Sequence, residues 1–257
     1  MGTIIICILA GMGAGLGTGF AGMSAAVVIS PMLITFLGVN PFEAIGVALA
    51  SDVLASAISA YTYGVNKNID IKRSRSLFVS VLMFTLIGAY IAHLVPPATM
   101  GNLTVYASLI MGINFFKKSF KEEKPRTPHE FHGLLGFILP ILCGSIIGFI
   151  CGFIGAGGGI MMLLLLTSVL GYELKKAIGT SVFIMTFTAL FGATSHFTLQ
   201  GTAPDPLIII TCVLSTLVFA FLGARFANRS EPKILNRSIG IVLSTLGIFM
   251  IVASHLG

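Results

Sequence analysis

Charge is what this sequence has least of. Charged side chains make up 9% of its 257 residues, where a typical soluble domain carries about 25%. Together with a 56% hydrophobic content and a mean hydropathy of +1.01, this excludes a soluble globular fold and leaves no room for a second, soluble domain. The net charge of +6 sits in loops, so it speaks to membrane orientation, and no nucleic-acid partner is expected. Cysteine is sparse too. Cys7, Cys143, Cys151 and Cys212 lie in apolar stretches without a CxxC pair or metal-ligand spacing, so they read as small buried hydrophobes. Neither a metal nor another cofactor is expected. The apolar N-terminal stretch lacks a basic region ahead of it, so no cleaved signal peptide is expected. HExxH, P-loop and dinucleotide-binding patterns are missing, and the chain reads as a non-enzyme.

What is present is apolar sequence interrupted by glycine. Gly148–Gly171 is apolar enough for a membrane, yet Gly152, Gly155, Gly157, Gly158 and Gly159 crowd into eight of its residues. Each interior glycine costs about 1 kcal/mol of helix propensity relative to alanine, so the spacing predicts a break. Lipid cannot hydrogen-bond the freed backbone, so the break must face protein or a water-filled cavity. A half-helix starting after it would aim free N–H groups and its positive dipole end at that cavity, an arrangement suited to an anion. The competing reading is close helix packing through small residues four apart, which Gly15 with Gly19 and Gly148 with Gly152 also fit.

The stretch occurs twice. A slide of 133 residues lays Gly15–Gly64 over Gly148–Phe197 without a gap and matches Gly15, Gly19, Phe20, Gly22, Leu33, Leu37, Gly38, Ala44, Ile45, Gly46 and Ala60 with identical residues. This reads as an internal duplication, a plan common in transporters. The expected fold is an all-α polytopic membrane protein of two repeats, each a glycine-broken or re-entrant hairpin followed by three transmembrane helices. Residues 1–115 form the first membrane repeat, 116–130 a hydrophilic cytoplasmic linker and 131–257 the second. The first broken block is 3–37, with helices over 41–63, 76–95 and 99–115; the second block is 131–170, with Pro140 as a kink, and helices over 173–199, 206–226 and 239–255. The segments 65–75, 116–126, 171–176 and 225–237 are basic, whereas 38–43, 95–101 and 200–206 hold no Lys or Arg. Placing the basic segments inside makes 131–170 a hairpin and inverts one half relative to the other. That inversion leans on Lys175 and Lys176; with these two outside, the repeats would be parallel.

Asp52 is the one acid deep inside an apolar helix, and an ionisable residue there is a candidate for proton coupling. The plainer reading is hydrogen bonding to Ser51, Ser56 or a neighbouring helix. Thr180, Ser181, Thr186, Thr188, Thr194 and Ser195 carry hydroxyls that can bind an oxyanion or their own helix carbonyls. His93 and His196 read as polar residues at the membrane interface, and Arg225 as a snorkelling cation.

The segment GFICGFIGAGGGIMMLLLLTSVLG, followed by Ala177–Ser181, resembles the second-repeat signature of the sulfite exporter TauE/SafE family of membrane permeases. GFAGMSAAVVISPMLITFLGVNPFEAIGVALASD resembles the first-repeat signature, including Pro31, and the polar stretch Tyr63–Ile71 also fits. The resemblance covers nearly the whole chain. It implies a secondary transporter that exports small sulfur-containing anions, such as sulfite or organosulfonates, across a bacterial or archaeal cytoplasmic membrane. It implies a substrate site at Gly152, Gly155, Gly157, Gly158 and Gly159, with Gly19 and Gly22 from the first half and the pair Thr180 and Ser181. Ser24 adds a hydroxyl from this chain's own first break. The first half departs from the pattern, with Val47-Ala48 in place of Thr-Ser and Ser24-Ala25-Ala26 in place of the three glycines. Substrate contacts therefore concentrate in the second half. The expected partners are a small anion and the lipid bilayer, with a homo-oligomer left open. Two other readings stand beside the carrier: a passive anion channel, and an intramembrane hydrolase built on Gly179-Thr180-Ser181 with His196.

Overall fold

A computed structural model describes residues 2–104, 134–155, 158–200 and 204–231, with isolated positions near 106–110 and at 241 and 248. The expected linker at 116–130, about half of the helix expected at 99–115 and all but two residues of the closing helix at 239–255 lie outside the described residues, as does Gly157. The described chain is all helical. The elements in order are α1 (Gly2–Ala21), α2 (Ala26–Leu37), α3 (Pro41–Val65), α4 (Arg75–His93), α5 (Leu134–Ile154), α6 (Gly158–Ser168), α7 (Leu174–Gln200) and α8 (Pro206–Arg229). Among the described residues, α1, α3, α4, α7 and α8 are long and apolar enough to cross a membrane.

Both glycine-rich blocks break where the sequence predicts. Gly22 and Gly155 have φ of +63° and +74°, a left-handed conformation that a side chain resists. The segments beyond, α2 and α6, have 12 and 11 residues; at 1.5 Å per residue each spans about half of a ~30 Å hydrocarbon core. Both then stop in the same way. Gly38 and Gly171 are left-handed, with φ of +63° and +64°. Val39 N–H donates to Leu33 O at 3.2 Å, and Tyr172 N–H to Leu166 O at 2.8 Å, closing the helix ends in the manner of a glycine C-cap. Helices α3 and α8 start on caps written in the sequence. Asn40 accepts from Phe42 N at 3.0 Å ahead of Pro41, and Asp205 accepts from Leu207 N at 2.8 Å ahead of Pro206.

Packing crosses between the halves. Gly11, Gly15 and Gly19 of α1 lie on Ser215, Thr216, Ala220 and Ala224 of α8, and Gly144, Gly148 and Gly152 of α5 lie on Ser80, Val81, Thr85 and Ala89 of α4. The register rises along both helices of each pair, so α1 runs parallel to α8 and α5 parallel to α4. By contrast α3 and α7 run antiparallel: Gly46 meets Phe197, and Gly179 meets Tyr63 and Asn68.

Among the described residues, polar contacts tie the basic segments 65–75 and 171–176 and the start of 225–237 to one end of the bundle. Tyr172 Oη lies 3.0 Å from Ser74 Oγ and 3.4 Å from Asp70 O. Lys175 Nζ donates to Asn228 O at 3.0 Å, and Asn68 Nδ2 to Asn228 Oδ1 at 3.0 Å. At the other end the Phe42 ring packs at a tilt against His196, with ring centroids 4.1 Å apart, and against His93 at 5.5 Å. The start of α7, which carries Lys175, thus sits with the 66–74 loop.

These contacts separate two kinds of glycine. At Gly148 any Cβ would lie 2.9 Å from the Val81 Cα and closer still to its carbonyl oxygen, so Gly148→Leu is expected to split α4 from α5 and abolish a monodisperse size-exclusion peak in detergent. Around Gly38 nothing lies within 4 Å of an added Cβ. Gly38→Ala is therefore expected to fold and to lose about 1–2 kcal/mol through its left-handed φ alone, read as a lower thermal midpoint in the same detergent.

Candidate functional site

The two breaks meet. A Cβ on Gly159 would run into the Gly22 carbonyl and lie 2.6 Å from Met185 Sδ; one on Gly22 would lie 2.5 Å from Ser181 Oγ. On Gly155 it would lie 2.7 Å from Ile45 Cγ2 and 3.2 Å from Ala26 Cβ. The absence of a side chain at Gly159 lets its backbone touch the Gly22 backbone of the other half, and at Gly22 and Gly155 it makes room for side chains from the opposite half. The meeting point is enclosed by α3 and α7, and its polar side chains Ser24, Asp52 and Ser181 are buried.

Ser24 is the hub. Its hydroxyl lies 2.8 Å from Asp52 Oδ2 and 3.0 Å from Gly155 O, and it accepts from Ala26 N at 3.4 Å. One side chain thus links the first break, the long helix α3 and the second break. A hydroxyl carries a single proton, so an ionised Asp52 competes with the Gly155 carbonyl for it. A protonated Asp52 instead donates to Ser24, which donates onward to Gly155, and the chain of hydrogen bonds is complete. Asp52 Oδ1 has no hydrogen-bond partner among the described residues, nor does Ser30 Oγ on α2. Of the partners the sequence offered Asp52, the neighbouring element is the one used. Ser51 bonds to Val47 O at 2.9 Å, and Ser56 to the Asp52 carbonyl at 2.5 Å.

The remaining sequence-selected residues divide. Ser181 faces Gly22 while donating to Ile178 O at 2.8 Å. Thr180 turns the other way and accepts from Asp70 N at 3.0 Å, fixing the 66–74 loop to α7. Gly158 packs on Cys151, whose Sγ would be 2.5 Å from an added Cβ. Gly19 and Gly152 lie in the α1–α8 and α5–α4 contacts. The structure therefore brings Gly22, Ser24, Asp52, Gly155, Gly159 and Ser181 together, and puts Gly19, Gly152 and Thr180 around that centre.

Two residues of the arrangement escaped sequence reasoning. His196 is 0% exposed and its Nε2 lies 3.0 Å from Gly152 O, which it can bond only as donor; it is not the interfacial residue its place near a helix end suggested. Tyr63, also 0% exposed, donates its hydroxyl to Gly19 O at 3.2 Å. Tyr63 and His196 occupy matching positions of the two halves, as do Gly19 and Gly152. The signal was in the register all along, but it joins unlike residue types, and a search for identities passes over it.

Set beside known proteins, the chain is 26% identical to a probable membrane transporter protein of the archaeon Methanocaldococcus jannaschii over 217 residues, which is 81% of this chain and 78% of that one. It is 23% identical to the probable membrane transporter protein YunE of Bacillus subtilis across 97% of each chain. A probable membrane transporter protein of Haemophilus influenzae is 25% identical over 87% of this chain and 84% of its own length. No solved structure matches. The family model described as sulfite exporter TauE/SafE matches residues 7–250, and with spanning helices, paired breaks and relatives all in agreement, the chain belongs to the sulfite exporter TauE/SafE family of multi-pass membrane transporters.

Proposed function

We propose that this transporter is a secondary carrier that exports small sulfur-containing anions, such as sulfite or organosulfonates, across the cytoplasmic membrane, with Asp52 carrying a coupled proton. The observation that carries the reading is the convergence of both glycine breaks on Ser24 and Asp52 in the buried centre. Hydroxyls of Ser24 and Ser181 and the open backbone at Gly155 and Gly159 supply short, uncharged groups of the kind that hold an oxyanion; Gly22 N–H is already given to Thr18 O at 2.9 Å, and Gly158 packs on Cys151. A fixed negative charge beside them would repel the substrate, so Asp52 enters the cycle neutral and releases its proton as the anion leaves. The anchors come from both halves, so movement of the packed α1–α8 pair relative to the packed α4–α5 pair assembles and dismantles the site. That is the alternating-access scheme of inverted repeats. The crossed packing of α1 on α8 and α5 on α4, and the matched left-handed glycines, support a duplicated and inverted pair. Gathering of the basic segments at one end supports placing that end in the cytoplasm.

Purified protein on a solid-supported membrane, challenged with sulfite, sulfate, sulfoacetate and acetate at two pH values, tests this. A saturable response to a sulfur oxyanion is expected, larger when the side supplying the anion is more acidic. Asp52→Asn should keep saturable binding and lose that pH dependence. Ser24→Ala should raise the half-saturating concentration about tenfold, the effect of one buried hydrogen bond to a charged ligand. Silence on the membrane and no labelled-sulfite counterflow in the same liposomes would sink the anion carrier. Conductive flux without counterflow would replace it with a channel.

A further inference from the structure

The bonds from Tyr63 and His196 have no part in holding substrate, and their geometry assigns them another one. Each sits on a long central helix, α3 or α7, and donates to a carbonyl in the last turns before a break. Tyr63 bonds Gly19 O at 3.2 Å, three residues before Gly22; His196 bonds Gly152 O at 3.0 Å, three residues before Gly155. The two bonds lie towards opposite ends of the bundle. Tyr63 is close to the 66–74 loop, where Asn68 N–H donates to its carbonyl at 2.9 Å. His196 packs at a tilt against Phe42 at the end that carries residues 38–40.

A carbonyl inside a regular helix already accepts from the N–H four residues on. Near a break that partner is disturbed, so an added donor from another helix fixes where the broken hairpin lies. We propose that Tyr63 and His196 are a matched pair of gate latches. The His196–Gly152 bond holds the α5–α6 hairpin shut towards the 38–40 end, and the Tyr63–Gly19 bond holds the α1–α2 hairpin shut towards the 66–74 end. With both made, the centre is closed to both sides. Opening to either side breaks one bond and leaves the other. Both are positioning residues, acting through the hairpins and not on the substrate. The assignment rests on the alternating-access reading above, but its test needs no substrate and stands apart from the identity of the anion.

Cys151 is a native reporter, 3% exposed and one turn before Gly155. With Cys7, Cys143 and Cys212 replaced by alanine, its labelling by a membrane-impermeant maleimide is followed in right-side-out and inverted vesicles. His196→Asn and His196→Phe remove the donor at the Nε2 position, and each is expected to speed labelling from the 38–40 face about fivefold, the population shift from one lost hydrogen bond. His196→Gln restores an amide N–H near Nε2 and should label at the parent rate. Tyr63→Phe keeps the ring, removes only the hydroxyl, and should speed labelling from the 66–74 face alone by a similar factor. Equal acceleration at both faces, or His196→Gln behaving like His196→Asn, would overturn the assignment by making these residues packing elements. If His196→Asn gives no monodisperse protein, Tyr63→Phe decides: unchanged labelling at the 66–74 face refutes the pair.

Discussion

Everything in this molecule depends on satisfying broken helix backbone away from water. A helix that stops inside an apolar layer exposes N–H and C=O groups that lipid cannot serve, at several kcal/mol each. Here the exposed groups of one break are served from the other half. Gly155 O takes its bond from Ser24, while the Gly22 carbonyl lies against Gly159. The two breaks thus support each other at this depth, although the chain divides into two similar segments.

That mutual dependence explains the shape of the glycine pattern. Gly11, Gly15 and Gly19, and their counterparts Gly144, Gly148 and Gly152, let helices approach within backbone contact, the small-residue packing that replaces the hydrophobic effect between helices in lipid. Gly22 and Gly155 supply a left-handed turn, and Gly159 supplies room for a foreign carbonyl. The packing and open-backbone readings of the sequence therefore do not compete. Packing glycines deliver the hairpins to the centre, and turn glycines let them end there.

The halves divide the polar chemistry unequally. The first contributes Ser24 and Asp52, and where Asp52 stands the second has Met185. The second contributes a more open backbone and Ser181. A second carboxylate at the Met185 position would place two like charges in a buried space, which is unfavourable at short range. A single acid beside a single hydroxyl keeps one carboxyl group in the buried centre, hydrogen-bonded through Ser24 to the Gly155 carbonyl.

Several features were decided by sequence alone. Hydropathy forced an all-helical membrane protein, because helices satisfy their backbone internally. The glycine clusters located both breaks to within a residue or two, because a left-handed turn has few other residues to use. Asn40-Pro41 and Asp205-Pro206 located helix starts through capping chemistry that is local in the chain. Only the tertiary structure decided that the breaks touch, that Ser24 is the partner of Asp52, that Thr180 faces the Asp70 loop and not the centre, and that His196 is buried against Gly152. Each of these is a contact between elements far apart in sequence. Periodicity says which residues share a helix face but not which face of another helix they meet. That choice was made by how closely the glycine stripes allow α1 to lie on α8 and α5 on α4.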